Sequence, residues 1–266
     1  MYTANGEEVR GVTSLAGEIY VLRWRERDQV EVYDINNYRL QRCLSVPNAR
    51  GFIDMTSCKH YLCVYIGDDN EKCVHRLDAQ GAVTRWTAND KPAGLSVNAA
   101  NNVLVTCSFG HKIKEYSSHG ELLRELALPD DVLNPLQAIE TRSGQFIVCH
   151  GLNDDPVHRV CMMSADGRHI VYSHGGHQDS DTGQYDMPFH LSDLTVNDNE
   201  FVFVSDKNSC RLTLLSPTLQ YVRQVVSPNQ LNGKPLRLYL DTQRRQLYVA
   251  VNKWTSKAGR VAVFNV

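Results

Sequence analysis

The chain has 266 residues, 42% of them hydrophobic and 22% charged, with a formal net charge of −2. That balance is ordinary for a globular chain able to bury a core. It excludes a global field drawing the protein to nucleic acid or an anionic membrane, and no apolar run approaches the length of a membrane span. The N-terminus, MYTANGEEVRG, lacks the basic-then-apolar order of a signal peptide, and the eight cysteines are scattered without a CxxC pair. Reduced, buried thiols in a cytoplasmic protein are the reading, since a domain of this size can bury a core without covalent staples.

Short apolar runs separated by polar turns recur along the whole chain. The first unit reads as strands at 11–15, 19–24, 30–33 and 40–45, and the second at 52–56, 61–66, 73–77 and 83–87. The third has runs at 94–97, 103–108, 113–116 and 122–126, and the fourth at 137–141, 146–150, 160–163 and 169–173. The fifth follows at 191–196, 201–205, 211–215 and 221–226, and the sixth at 236–240, 246–251 and 260–264. Aligned on the second strand, the units centre on Val21, Val64, Thr106, Val148, Val204 and Val249, at spacings of 43, 42, 42, 56 and 45 residues. A period in the low forties with four strands per unit is that of a propeller rather than a helical solenoid.

The expected fold is therefore all-β: one closed six-bladed β-propeller domain over 1–266, of four-stranded antiparallel blades. The blades lie roughly at 9–46, 51–88, 93–128, 136–174, 189–227 and 235–266. The last unit is one strand short, and Met1 to Ala4 supply at most a stub to complete it. Closure matters because it removes exposed strand edges. The longest spacing places extra residues in the polar stretch 175–188, which reads as a loop.

The segment 202–215, VFVSDKNSCRLTLL, resembles the NHL repeat in its two apolar residues, Val, small residue and Asp, its turn with Asn, and its Arg opening an apolar strand. Asp206, Asn208 and Arg211 fall on the polar positions, whereas Arg23, Ile66, Ser108, His150 and Val251 align with Asp206 in the other units. The resemblance covers nearly the whole chain in spacing and one unit in motif. It implies a six-bladed propeller serving as the C-terminal recognition domain of a larger protein, such as a tripartite-motif ubiquitin ligase. Some domains of that family bind RNA through a basic face.

In a propeller, loops joining strands two and three of each blade share a face with the connections between blades. On that face the first unit offers Arg23, Trp24, Arg25 and Arg27, and the sixth offers Lys253, Trp254 and Lys257, with Arg50 and Lys207 extending the patch. Aromatic and arginine side chains are the types that dominate binding hot spots. The corresponding loops of the second and fourth units are acidic, with Asp68, Asp69, Glu71, Asp154 and Asp155. A face divided by sign suits a protein partner better than a phosphate backbone.

His174, His177, Asp179, Asp181 and Asp186 offer the donor types of a metal site, with Asp179-x-Asp181-x-Gly183 faintly like a calcium loop, but the glycine position and terminal Glu of the EF-hand pattern are missing; a solvated loop is the reading, with no metal or cofactor expected. Six-bladed lactonases and lyases carry carboxylates or histidines converging on the axis, and the first strands here offer Asp54, Glu140, His190, Asp193 and Asp241 without symmetry. The expectation is a non-catalytic module binding a protein, without membrane or DNA as partner. An RNA-binding domain is the first alternative and a metal-dependent lactonase- or lyase-like enzyme the second.

Overall fold

The computed structural model describes residues 7–24, 29–151, 158–175, 190–253 and 258–266. Among these residues twenty-three strands and one short helix follow in chain order, grouped as antiparallel meanders in which consecutive strands are neighbours. Blade 1 comprises β1 (Val9–Leu15), β2 (Glu18–Arg23), β3 (Gln29–Asp34) and β4 (Leu40–Ser45). Blade 2 comprises β5 (Phe52–Cys58), β6 (Cys63–Asp68), β7 (Cys73–Asp78) and β8 (Val83–Thr87). Blade 3 comprises β9 (Pro92–Val97), β10 (Val103–Cys107), β11 (Lys112–Tyr116) and β12 (Leu122–Ala127). Blade 4 comprises β13 (Pro135–Glu140), β14 (Phe146–His150), β15 (Arg159–Met163) and β16 (Ile170–His174). Blade 5 comprises β17 (Leu191–Val196), β18 (Val202–Asp206), β19 (Arg211–Leu215) and β20 (Tyr221–Val226). The helix α1 (Pro228–Leu231) leads into blade 6, which comprises β21 (Lys234–Asp241), β22 (Gln246–Asn252) and β23 (Gly259–Asn265). Among the described residues this last sheet has three strands; the expected stub at 1–4 lies outside them.

The middle strands read as unbroken apolar runs because both faces of each blade are covered. Along β2, Tyr20 and Leu22 pack against Phe52 and Met55 of blade 2, while Ile19 and Val21 pack against Tyr248 and Ala250 of blade 6. The same alternation sends Val64 and Ile66 toward blade 1 and Cys63 and Tyr65 toward blade 3. Six apolar clusters result, one at each junction between adjacent blades, including the junction of blade 6 with blade 1. The ring is therefore closed by packing. The outermost strands β4, β12, β16 and β20 have no covering layer and leave Leu40, Leu122, Tyr172 and Tyr221 exposed. All eight cysteines are free thiols, and seven are buried as small apolar groups.

Every innermost strand is broken by a bulge at the same place. The register skips one residue between Val9 and Gly11, Phe52 and Asp54, Pro135 and Gln137, Leu191 and Asp193, and Pro235 and Arg237, and Ala93 is skipped opposite Thr106 and Cys107. Such a bulge bends a strand and re-aims the residue after it. The six re-aimed positions are Gly11, Asp54, Gly94, Gln137, Asp193 and Arg237.

The bulges also set the true correspondence among blades. Asp206 pairs with Leu191 across the sheet, and the matching partners of the other innermost strands are Arg23, Asp68, Cys107, His150 and Val251. The sequence alignment placed Ile66 and Ser108 there; it had slipped by two residues in blade 2 and by one in blade 3. Corrected, blade 2 carries a second turn of the same make. Asp206 accepts the backbone N–H groups of Asn208 and Ser209 at 3.0 and 3.2 Å, and Asp68 accepts those of Asn70 and Glu71 at 3.1 and 2.9 Å.

Candidate functional site

The connections between blades and the turns joining second and third strands emerge together on one face of the ring. Trp24, at the end of β2, is 42% exposed, and the Arg10 guanidinium lies 4.9 Å from its ring centre. Arg10 is the bulged residue of β1, so the feature that bends that strand also delivers the cation to the indole. Arg10 is held by Glu8 at 2.9 Å. The amine of Lys207 is half-buried; burial, reinforced by the nearby charges of Lys234 and Arg10, pushes its pKa down. The charges of Arg10 and Lys234 thus act on Lys207 across blades 5, 6 and 1, Arg10 lies beside the exposed tryptophan, and Lys253 is exposed.

A second aromatic–cation pair lies across the face. Phe109, in the turn after β10, is 80% exposed, with the Lys91 amine 5.7 Å from its ring centre. The sequence reading missed it. Its signal was present, however, as an aromatic residue standing in the polar turn Ser108 to His111. Between the two pairs, Arg50 is exposed and lies 3.7 Å from Glu71.

One predicted surface residue is not on the surface. The Arg23 side chain is fully buried and donates to the Glu31 carboxylate at 2.8 Å and to the carbonyls of Glu7 and Gly259 at 2.9 and 3.0 Å. A guanidinium out of water needs such a set of acceptors, and this one ties blade 1 to blade 6. Arg25, Arg27, Trp254 and Lys257 lie outside the described residues, as do Asp154, Asp155, His177, Asp179, Asp181 and Asp186. Asp68, read as part of an acidic loop, is buried.

Toward the loop-face end of the axis, Arg237 of β21 reaches across to three other blades. Its guanidinium lies 3.2 Å from Asp54 and donates to the carbonyls of Ala93 at 2.7 Å, Ser192 at 3.1 Å and Ile53 at 3.2 Å. Those carbonyls belong to the bulged residues of three other blades. Asp54 also accepts the Leu95 N–H at 2.8 Å, and Asp193 accepts the Leu238 N–H at 2.6 Å. Among the described residues the other Asp193 oxygen has no hydrogen-bond partner, and burial pushes this carboxyl up to about 7 against the pull of Arg237. Of the remaining inner-strand carboxylates, Glu140 binds Asn98 at 2.7 Å and Asp241 accepts the Ser14 hydroxyl at 3.0 Å. They do not join the Arg237 group.

Three histidines lie on the loop face of blades 4 and 5. The rings of His158 and His190 are 4.8 Å apart, and among the described residues neither ring nitrogen of buried His150 has a hydrogen-bond partner. On the opposite face, a cavity of about 280 Å³ is floored by Phe203, Leu240 and Val266 and rimmed by Asn197, Asp198 and Arg245.

No family model matches the chain, and no curated protein matches its sequence. Solved structures do match. A catalytically inactive variant of virginiamycin B lyase from Staphylococcus aureus, with quinupristin, is 12% identical at a TM-score of 0.66 and covers 99% of this chain and 86% of its own. Kuenenia stuttgartiensis hydrazine synthase is 14% identical at a TM-score of 0.68, covering 99% of this chain and 78% of its own. A protein of unknown function from Bacteroides caccae is 15% identical at a TM-score of 0.58, covering 84% and 83%. These likenesses show the fold. Neighbours of such mixed function do not carry an activity across to this chain.

Proposed function

We propose that the protein is a non-catalytic binding propeller that engages a protein partner through its loop face. The observation that carries this reading is Trp24, exposed with the Arg10 guanidinium 4.9 Å from its ring centre. An exposed aromatic with a fixed cation beside it offers large contact area at small entropic cost, and it favours a partner segment with acidic and apolar side chains. The Phe109–Lys91 pair supplies a second anchor. The Asp-x-Asn turns at Asp68 and Asp206 support an NHL-type propeller, and the reduced thiols support a cytoplasmic setting. Recognition of substrates for a ubiquitin ligase is the role such a domain would serve.

Trp24→Ala with Phe109→Ala, checked by circular dichroism, is compared with the parent chain in pull-downs with and without nuclease. Nuclease-resistant partners captured by the parent and lost from the double variant are the expected result. Capture abolished by nuclease would replace this reading with RNA binding, and identical capture by both forms would show the face to be misassigned.

An enzyme of the lyase type is the second reading, favoured by His150, His158 and His190 on the loop face together with the lyases among the structural neighbours. Against it, Asp54 and Asp193 converge on Arg237 and backbone N–H groups rather than on an open site. Consumption of quinupristin by the parent chain but not by His190→Ala would overturn the non-catalytic reading.

A further inference from the structure

We propose that Asp68, Cys73 and His75 form a binding site for a zinc-type divalent cation at the loop-face edge of the junction between blades 1 and 2. Cys73 and His75 are alternate residues of β7 and therefore share one side of the sheet, and Asp68 is the direct cross-strand partner of Cys73. All three side chains are buried. The Cys73 Sγ lies 3.4 Å and the nearer Asp68 carboxylate oxygen 3.7 Å from His75 Nε2, and the three donor atoms lie within 4.8 Å of one another.

The two separations from His75 are close to what a tetrahedral ion asks for, and the third donor pair lies within 4.8 Å. Bonds of about 2.3 Å to sulfur and about 2.0–2.1 Å to nitrogen or oxygen place neighbouring donors about 3.4–3.6 Å apart. The donor types agree as well: thiolate, imidazole and carboxylate together suit zinc, whereas calcium and magnesium prefer all-oxygen sets.

Comparison with the equivalent position in other blades supplies an independent reason. Where blade 1 places buried Arg23, the third strand supplies Glu31 at 2.8 Å; where blade 5 places buried Asp206, the third strand supplies Arg211 at 3.7 Å. In blade 2 the third strand offers Asp68 a cysteine and a histidine. Among the described residues its ion-pair partner is His75 alone, which is cationic only when protonated. A buried carboxylate without a permanent cation is unusual, and a bound metal would supply the missing charge. Asp68 is already oriented for the task, because the N–H groups of Arg50, Asn70 and Glu71 hold its two oxygens at 2.9, 3.1 and 2.9 Å. Backbone bonds of this kind orient a ligating carboxylate. With three protein ligands, the fourth position falls to water or to a further side chain. The ion would pin the 69–72 turn against the connection from blade 1.

The test uses the full chain, reduced, stripped with chelator and titrated with Co²⁺ and then Zn²⁺. One equivalent of Co²⁺ should produce a thiolate-to-metal charge-transfer band with tetrahedral visible bands, and Zn²⁺ should displace them. Cys73→Ser and His75→Gln should each weaken Co²⁺ binding more than about tenfold while the other seven cysteines remain. X-ray absorption of the zinc-loaded parent, which needs no variant to fold, should show one sulfur at about 2.3 Å and the remaining neighbours at about 2.0–2.1 Å. Absence of the charge-transfer band, its persistence in both folded variants, or a zinc site without sulfur would each overturn the proposal.

Discussion

Two buried titratable residues face opposite problems in this ring. Among the described residues His150 has no hydrogen-bond partner for either ring nitrogen, and burial, reinforced by Arg159, pushes its pKa from 6.5 to about 4. Its contribution to stability is complete above the ordinary histidine pKa and is lost as pH falls through about 4, an effect on the order of 3 kcal/mol. Asp193 is shifted the other way, to about 7, so its contribution is complete below pH 3.8 and is lost as pH rises through about 7. Between roughly pH 4 and 6.5 the two slopes oppose each other. Urea unfolding across that range should show His150→Phe losing stability, relative to the parent, as pH rises. Asp193→Asn, which keeps an oxygen for the Leu238 N–H, should gain relative to the parent over the same range. Two parallel curves would show that neither group titrates as described.

At the scale of the strand, the bulge decides what each innermost strand presents to the axis. Gly94 stands where the neighbouring blades have Asp54 and Gln137, and a Cβ there would collide with the Leu136 carbonyl oxygen and lie 2.6 Å from Gln137 Oε1. Backbone cannot yield as a side-chain tip does, so Gly94→Ala should destabilise by about 1–3 kcal/mol, with an unchanged dependence on denaturant. A Gly94→Ala chain as stable as the parent would mean that β9 and β13 stand further apart than described. The bulges were invisible in the sequence, where no particular residue type marks them. The misaligned second unit has another cause. Moving a strand by two residues leaves every side chain on its own face, so the apolar run from Cys63 to Ile66 fits either register. Only the Asp68-x-Asn70 turn distinguishes the two. The one-residue difference in blade 3, with Cys107 rather than Ser108 in place, follows from a turn with no such marker.

Over the whole molecule, six units and their order were legible because strands covered on both faces must be apolar throughout, and the period survives even where motifs do not. How the ring closes was not legible. Arg23 looks like any loop cation until Gly259, at the far end of the chain, is seen to accept from it. Asn252 belongs to the same seam: its side-chain oxygen accepts the Val9 N–H at 2.9 Å and its amide donates to the Val9 carbonyl at 3.3 Å. Asn252→Leu strands a buried donor and should cost about 1–3 kcal/mol. Hydrogen exchange should show β1 and β23 losing protection before blades 3 and 4 do. Uniform loss around the ring would mean that the seam is no weaker than the other junctions.

Arg237 reaches from blade 6 to carbonyls of blades 2, 3 and 5, and blade 3 lies diametrically opposite its own. A guanidinium has fixed size, so these acceptors come within its reach only at one ring diameter. Repeat proteins carry an inherent ambiguity of number, since near-identical units could close with one fewer or one more. A single side chain that reaches three other blades fixes how far apart they stand around the axis.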